Sequence, residues 1–163
     1  MNLDVKIAPV RKMVRVKASP DVAFEVFTAG MTRWWPGATH TINPTKSPLK
    51  AVVMEPHAGG RWYERGEDGS ECEWGKVLAW EPPHRLLLGW QVNAQWAYDP
   101  NLITELEVKF IGEGPGAVRV EVEHRDLERY GEAAETIRAA FDSPDGWTGL
   151  LETFAKEAER SGV

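Results

Sequence analysis

Hydrophobic and polar residues alternate through most of the chain, in the pattern typical of antiparallel strands with one buried face. This alternation, together with hairpin spacing and turn residues, predicts strands over residues 10–18, 49–55, 61–66, 70–81, 84–92, 102–111 and 117–126. In the last of these, the face predicted to be buried carries Val118, Val120, Val122 and His124. Its other face is charged. The chain therefore predicts a sheet with one apolar side that needs a cover.

Helical signals lie on both sides of the main strand region. Ser19-Pro20 is a typical helix N-terminus, and short helices are also predicted over residues 31–35 and 130–141. Ser143-Pro144 predicts a capped start for the last helix. The apolar stripe of that helix is Trp147, Leu150, Leu151, Phe154 and Ala158. The order β-α-α-β6-α predicts an α+β fold, in one domain over residues 1–163, with the final helix covering the sheet.

Composition excludes several classes of protein. Nineteen Lys and Arg residues against 25 Asp and Glu give a net charge of −6, which argues against a nucleic-acid binder. The apolar runs are too short for a membrane span, and Met1 to Val10 lacks a signal-peptide core. The single cysteine, Cys72, excludes an internal disulfide and favours a cytoplasmic location. A homodimer is compatible with the sequence.

Several tryptophan-containing motifs carry a resemblance to a known family. They are Thr32-Arg33-Trp34-Trp35-Pro36, Gly59-Gly60-Arg61-Trp62, Trp74-Gly75-Lys76-Val77, Trp80-Glu81-Pro82-Pro83-His84-Arg85-Leu86 and Gly146-Trp147. With these motifs the chain resembles the START/Bet v 1-like (SRPBCC) superfamily, in its branch named activator of heat-shock-protein-90 ATPase homologue-like. The resemblance implies a helix-grip fold, in which a curved antiparallel sheet wraps around a long C-terminal helix. It also implies an elongated cavity between the two.

The residues that carry chemistry form no recognisable catalytic motif. The four histidines lack metal-ligand spacing, and no serine nucleophile elbow or phosphate loop is present, so we expect no metal and no cofactor. His124 is interpreted either as a hydrogen-bonded residue at the rim of the core or as a group that orients a ligand. Glu64 shares its predicted face with Trp62 and is paired, exposed at the rim or functional. Cys72 is interpreted as a packed strand residue.

The leading functional hypothesis is that a small hydrophobic or amphipathic ligand binds in the cavity. The residues predicted to line it are Trp34, Trp62, Trp90, Phe110, His124, Trp147, Leu151 and Phe154. One alternative is a cyclase- or hydratase-like enzyme in which His124 moves a proton. Another is a co-chaperone-like module that uses its outer surface. Fold resemblance does not separate the three.

Overall fold

The computed structural model describes residues 7–162; residues 1–6 and 163 of the predicted domain lie outside this range. The strands are β1 (Val10–Val16), β2 (Leu49–Met54), β3 (Arg61–Gly66), β4 (Glu71–Glu81), β5 (Arg85–Trp90), β6 (Thr104–Gly112) and β7 (Val118–Arg125). The α-helices are α1 (Pro20–Phe27), α2 (Met31–Trp34), α3 (Ala134–Asp142) and α4 (Gly149–Ser161). None of the helices within this range is long and apolar enough to cross a membrane.

The seven strands form one antiparallel sheet in the order β1-β7-β6-β5-β4-β3-β2. The first strand pairs with the last, so that Val10 lies opposite His124. Register shifts interrupt the pairing of β2 with β3, β3 with β4 and β4 with β5. Such irregularities bend and twist a sheet, which here curves around the C-terminal helix. The predicted α+β helix-grip class is confirmed.

The core lies between the inner face of the sheet and α4. The predicted alternation is confirmed in β6 and β7, where every second residue is buried. From α4, the buried residues are Leu150, Leu151, Phe154 and Ala158. The Phe154 ring lies 5.3 Å from that of Phe27 and 5.5 Å from that of Trp34. This part of the sheet–helix space is therefore filled by packed aromatic side chains.

The two predicted Ser-Pro helix starts differ in the structure. Ser19 accepts a hydrogen bond from the Val22 N–H at 3.2 Å, so its N-cap role is confirmed. The prediction that Ser143 caps the last helix is wrong, because its hydroxyl donates to the Ala140 carbonyl instead. An irregular turn, Pro144–Thr148, follows before α4 begins at Gly149. A Cβ at Gly146 would lie 2.3 Å from the Phe141 carbonyl oxygen, so this turn packs directly against the end of α3.

The predicted helix over residues 130–141 is also shorter than expected. A 3₁₀ segment covers Leu127–Ala133, and α3 begins only at Ala134. Within the 3₁₀ segment, Gly131 has a φ of 64°, a non-helical backbone conformation that favours glycine. The chain therefore turns sharply after β7 and carries α3 over the end of the sheet.

Ion pairs cover the outer face of the sheet. Arg125 contacts Glu105 at 2.9 Å and Glu107 at 3.0 Å, and Arg61 pairs with Glu71 and Glu73. These glutamates belong to the strand face predicted to be solvated, and the ion pairs give it a polar, charged surface. Partly exposed ion pairs contribute about 0–1 kcal/mol each, so they define the outer face more than they stabilise the fold.

We expect Phe154→Ala to lower the free energy of unfolding by about 3–5 kcal/mol, because it removes a fully buried ring at the centre of the α4 contact. Chemical denaturation measures the change. Lys156→Ala, at an exposed position of the same helix, is the control and should change stability by less than about 0.5 kcal/mol. Equal effects of the two substitutions would show that α4 does not cover the sheet as described.

Candidate functional site

A cavity of about 590 Å³ lies at the N-terminal end of α4. The sheet side of its wall is formed by Trp74, Trp90, Val92 and His124, and the helical side by Ala140, Phe141, Trp147 and Leu150. Trp35 and residues 39–42 of the loop after α2 complete the wall, together with Trp96 from the loop after β5. The cavity therefore lies beside the irregular turn that precedes α4.

The close pairing of β4 with β5 positions the aromatic part of this wall. Gly75 lies opposite Trp90, and a Cβ on Gly75 would lie 1.7 Å from the Gly89 carbonyl oxygen. Only glycine fits at this position without moving the strands apart. The adjacent Trp74 ring then lies 6.3 Å from that of Trp90 and 4.8 Å from that of Trp35, measured between centroids. Three indoles therefore meet at one side of the cavity.

His124, near the end of β7, is a polar group in this mainly apolar wall. It is completely buried, and its ring stacks on Phe141 with the centroids 4.4 Å apart. The Trp147 indole N–H donates to Nδ1 at 3.3 Å, and Nε2 lies 2.8 Å from the Thr104 hydroxyl. Both ring nitrogens thus have partners, and stacking fixes the plane of the ring.

These contacts determine the protonation state of His124. An indole N–H only donates, so Nδ1 accepts and the proton of the neutral ring is on Nε2, which donates to Thr104. Burial lowers the pKa of His124 from 6.5 to about 3. His124 is therefore neutral near pH 7, with the acceptor nitrogen held only by a long hydrogen bond.

Tyr130 extends the polar contacts behind His124. Its hydroxyl donates to the Val92 carbonyl at 2.6 Å, which ties the 3₁₀ segment to the end of β5. Burial raises the pKa of Tyr130 above its ordinary value, although the polar hydrogens of Trp90 and Thr104 lie close enough to oppose this rise. The phenol is therefore protonated near neutral pH and acts as a structural donor.

The loop after α2 closes another side of the cavity. The Trp35 indole N–H donates to the His40 carbonyl at 2.7 Å, and His40 Nε2 lies 2.7 Å from the Asp145 carbonyl oxygen. His40 thus joins this loop to the turn before α4. The two residues of the Trp34-Trp35 pair differ in position, because Trp34 packs on Phe154 in the core and Trp35 lines the cavity.

Trp96 forms an exposed part of the rim. Its side chain is 48% exposed, and its backbone has a φ of 57°, in the left-handed region. The Asn93 side chain accepts hydrogen bonds from the Gln95 and Ala97 N–H groups at 3.0 Å, which holds the loop. A large apolar ring is therefore presented at the mouth of the cavity.

The structure brings Trp90, His124 and Trp147 together at the cavity wall. The other residues predicted to line it, Trp34, Trp62, Phe110, Leu151 and Phe154, belong to the packed core and do not line this cavity. Strand and helix periodicity identified the face on which each residue lies. It did not show how far along that face the packing is complete.

Sequence reasoning missed most of the wall. Residues 39–42, Trp96 and Asp145 lie in loops and turns, where periodicity carries no signal. Phe141 was visible as part of an apolar helical stripe, but its stacking on His124 depends on the fold. For the rim, the available sequence signal was an aromatic residue, Trp96, in the segment between β5 and β6.

The other candidate polar residues are buried as well. Glu64 is completely buried, which excludes the exposed interpretation, and it accepts hydrogen bonds from Ile42 and Trp74. Cys72 is buried in β4, and burial raises the pKa of its thiol to about 11. Within residues 7–162, no group of three or more His, Cys, Asp or Glu side chains is placed to hold a metal ion.

The curved sheet, the C-terminal helix and the internal cavity define a helix-grip protein. The family model for Activator of Hsp90 ATPase homolog 1-like protein matches residues 17–159. The chain therefore belongs to this family, which confirms the resemblance seen in its sequence motifs. The comparison with curated protein sequences gave no match.

Solved structures support the same assignment. The anthrahydroquino-γ-pyrone synthase Txn09, solved as a complex, is 40% identical over 93% of this chain and 97% of its own, with a TM-score of 0.64. The self-sacrificing resistance protein CalC from Micromonospora echinospora is 32% identical over 96% and 97%, with a TM-score of 0.72. Protein NE0264 from Nitrosomonas europaea, 11% identical over 94% and 95% with a TM-score of 0.65, shares the fold alone.

The buried His124 predicts a specific dependence of stability on pH. Between pH 6.5 and about pH 3, the unfolded chain binds a proton at this position that the folded protein does not, so stability falls as the pH falls. We expect a loss of about 1–3 kcal/mol from this residue between pH 6.5 and about 4.5, measured by denaturant unfolding. His124→Gln should flatten this part of the profile, and the exposed His57→Gln should not. Identical slopes for wild type and His124→Gln would contradict the assignment.

Proposed function

We propose that the protein binds a flat, oxygen-bearing aromatic small molecule in the cavity at the N-terminal end of α4. The observation that carries this proposal is an aromatic wall of suitable size that includes one neutral, buried histidine. A volume of about 590 Å³ lies within the usual range for small-molecule sites. The proposal narrows the predicted class of hydrophobic or amphipathic ligands to flat aromatic molecules that carry oxygen.

The wall favours a planar ligand. Trp35, Trp74, Trp90 and Phe141 all present ring surfaces to the cavity. Flat aromatic molecules gain contact with such rings in stacked or edge-to-face arrangements while they lose water from a large apolar area. The stacking of Phe141 on His124 holds that part of the wall in one orientation. An aromatic guest therefore meets surfaces that are already arranged to receive it.

The polar groups favour oxygen on that ligand. His124 Nδ1 is an acceptor whose donor, Trp147, lies at 3.3 Å, so a ligand hydroxyl can compete for it. The name of Txn09 describes a product with fused aromatic rings and a pyrone, and that protein is 40% identical to this chain. The relative therefore supports the ligand class that the wall favours.

Filling the cavity should abolish binding. We expect Ala140→Trp, which adds an indole to the cavity wall, to weaken binding of 1,8-dihydroxyanthraquinone at least about tenfold, because the guest and the indole compete for one space. Quenching of tryptophan emission gives the dissociation constant. Ala139→Trp adds the same group at an exposed position of α3 and should leave binding unchanged.

If both variants bind the anthraquinone as wild type does, the ligand does not occupy this cavity. If the wild-type protein shows no saturable binding of this probe or of a related polyhydroxylated anthraquinone, the proposed ligand class is wrong.

A second candidate function is ring closure of such a ligand. It is favoured by the 40% identity to a synthase and by the neutral acceptor nitrogen of His124 in the cavity. An ortho-hydroxyaryl 1,3-diketone is a suitable test substrate, because its closure to a γ-pyrone forms one C–O bond and releases one water. His124 would accept a hydrogen bond from the attacking hydroxyl and orient it.

We expect the wild-type protein to accelerate this closure relative to buffer. The rate acceleration should be at least about tenfold smaller in His124→Gln. Chromatography of the product measures both rates. His57→Gln should retain it. Binding of the diketone without any acceleration would leave the protein as a binding module and exclude this second candidate.

A further inference from the structure

The Glu64 carboxylate, on β3, is completely buried beside the cavity, and only one of its oxygens is paired. Oε1 accepts hydrogen bonds from the Ile42 N–H at 2.7 Å and the Trp74 indole N–H at 2.9 Å. Among residues 7–162, Oε2 has no hydrogen-bond partner. The two arginines of the same strand, Arg61 and Arg65, pair with glutamates on the outer face instead. A buried acceptor of this kind is costly unless something binds it.

A hydrogen-bond donor without a partner among the described residues lies on the same strand as Glu64. Trp62 precedes Glu64 by two residues on β3, and its indole nitrogen has no hydrogen-bond partner within the described residues. The Trp62 ring lies 5.7 Å from that of Trp74 and 5.5 Å from that of Trp90. We name Trp62, Trp74 and Trp90 the inner tryptophan cluster. The Trp90 indole nitrogen is also unpaired, and it lies near the Tyr130 hydroxyl without a hydrogen bond of good geometry.

The types of the unpaired groups restrict what can satisfy them. The Glu64 carboxylate oxygen needs a donor, and the Trp62 indole needs an acceptor. A hydroxyl group supplies both at once, whereas an ammonium group only donates and a second carboxylate only accepts. Because the surroundings are aromatic rings, a hydroxyl on an aromatic ring also gains stacking contacts.

The cluster adjoins the cavity. Ile42 and Trp74, which hold Oε1 of Glu64, both line the cavity wall, as does Trp90. The carboxylate therefore lies one layer of residues behind the wall. A ligand that reaches it has to displace the Trp74 ring or the loop that carries Ile42.

We infer that Glu64 is a specificity-determining residue of the cavity, which selects ligands with a phenolic hydroxyl. Once the Trp74 ring or the loop that carries Ile42 has moved aside, the hydroxyl donates to Glu64 Oε2 and accepts from the Trp62 indole N–H, behind the cavity wall. This inference rests on the proposed function and adds the position and the chemistry of one ligand group.

The test compares 2-naphthol with 2-methoxynaphthalene, which has the same rings but no hydroxyl donor. Calorimetric titration gives the affinity of each for wild type, Glu64→Gln and Trp62→Phe. We expect wild type to prefer 2-naphthol about tenfold or more, because only 2-naphthol can donate a hydrogen bond to Glu64, and leaving a buried polar group without a partner costs about that amount. Glu64→Gln should lose most of this preference and still bind 2-methoxynaphthalene. Glu121→Gln, on the outer face of β7, is the matched control and should retain it.

Trp62→Phe provides an independent test, because it removes the indole N–H, retains an aromatic ring and leaves the Glu64 carboxylate in place. It should weaken 2-naphthol binding several-fold and affect the methoxy compound less. If Glu64→Gln unfolds, this variant decides the matter. Unchanged preference in the folded variants would overturn the inference while binding in the cavity stands. If wild type binds neither of the two naphthalenes and no hydroxylated anthraquinone, the proposed function and this inference are both overturned.

Discussion

The apolar inner face of the seven-stranded sheet has to be covered, and α4 is the element that covers it. Around the middle of α4 this cover is closely packed, because the Phe154 ring lies 5.3 Å from that of Phe27 in α1, and the Phe27 ring lies 5.9 Å from that of Phe110 in β6. The Pro144–Thr148 turn precedes the N-terminal end of α4 and packs against the end of α3. At this end the cover is incomplete, and the cavity lies here.

The buried polar groups give the cavity its chemical character. Under the proposed function, the long hydrogen bond to His124 and the Glu64 oxygen that has no partner among residues 7–162 are the polar features available to distinguish one aromatic guest from another. An unpaired polar atom in such surroundings costs more than a made hydrogen bond gains. Specificity therefore follows from a few polar atoms, whereas the indole and phenyl rings supply most of the contact area.

Membership of a family does not by itself assign an activity. The family takes its name from activation of a chaperone ATPase, one similar protein is named a synthase and another a resistance protein. Because these share one fold, the difference between them has to lie in side chains on that fold. For this chain, the lining of the cavity is the feature that favours a small aromatic ligand over a protein partner.

Much of the fold could be predicted from the sequence by itself. Alternation, hairpin spacing and turn residues identified the strands, and alternation gave the buried face of β6 and β7, because side chains on a strand alternate between two faces. Local spacing also gave the Ser19 cap and the apolar stripe of α4 from Leu150 to Ala158, whereas Trp147, assigned to the same stripe, lies in the turn before α4. It also placed Trp90, His124 and Trp147 on inward faces.

The tertiary structure decided which inward residues meet an open space and which pack solidly. Phe110, Leu151 and Phe154 have the same periodicity as the wall residues, yet they are in the core. The open space lies beside the Pro144–Thr148 turn, where Gly146 packs against the Phe141 carbonyl in a contact outside any repeating pattern. Likewise, the sequence identified Glu64 as an inward carboxylate, but only the packing of Ile42 and Trp74 against it shows that one oxygen is paired and the other is not. Local spacing determines the face of a strand or helix on which a side chain lies, whereas the distance between two elements depends on how the whole chain packs.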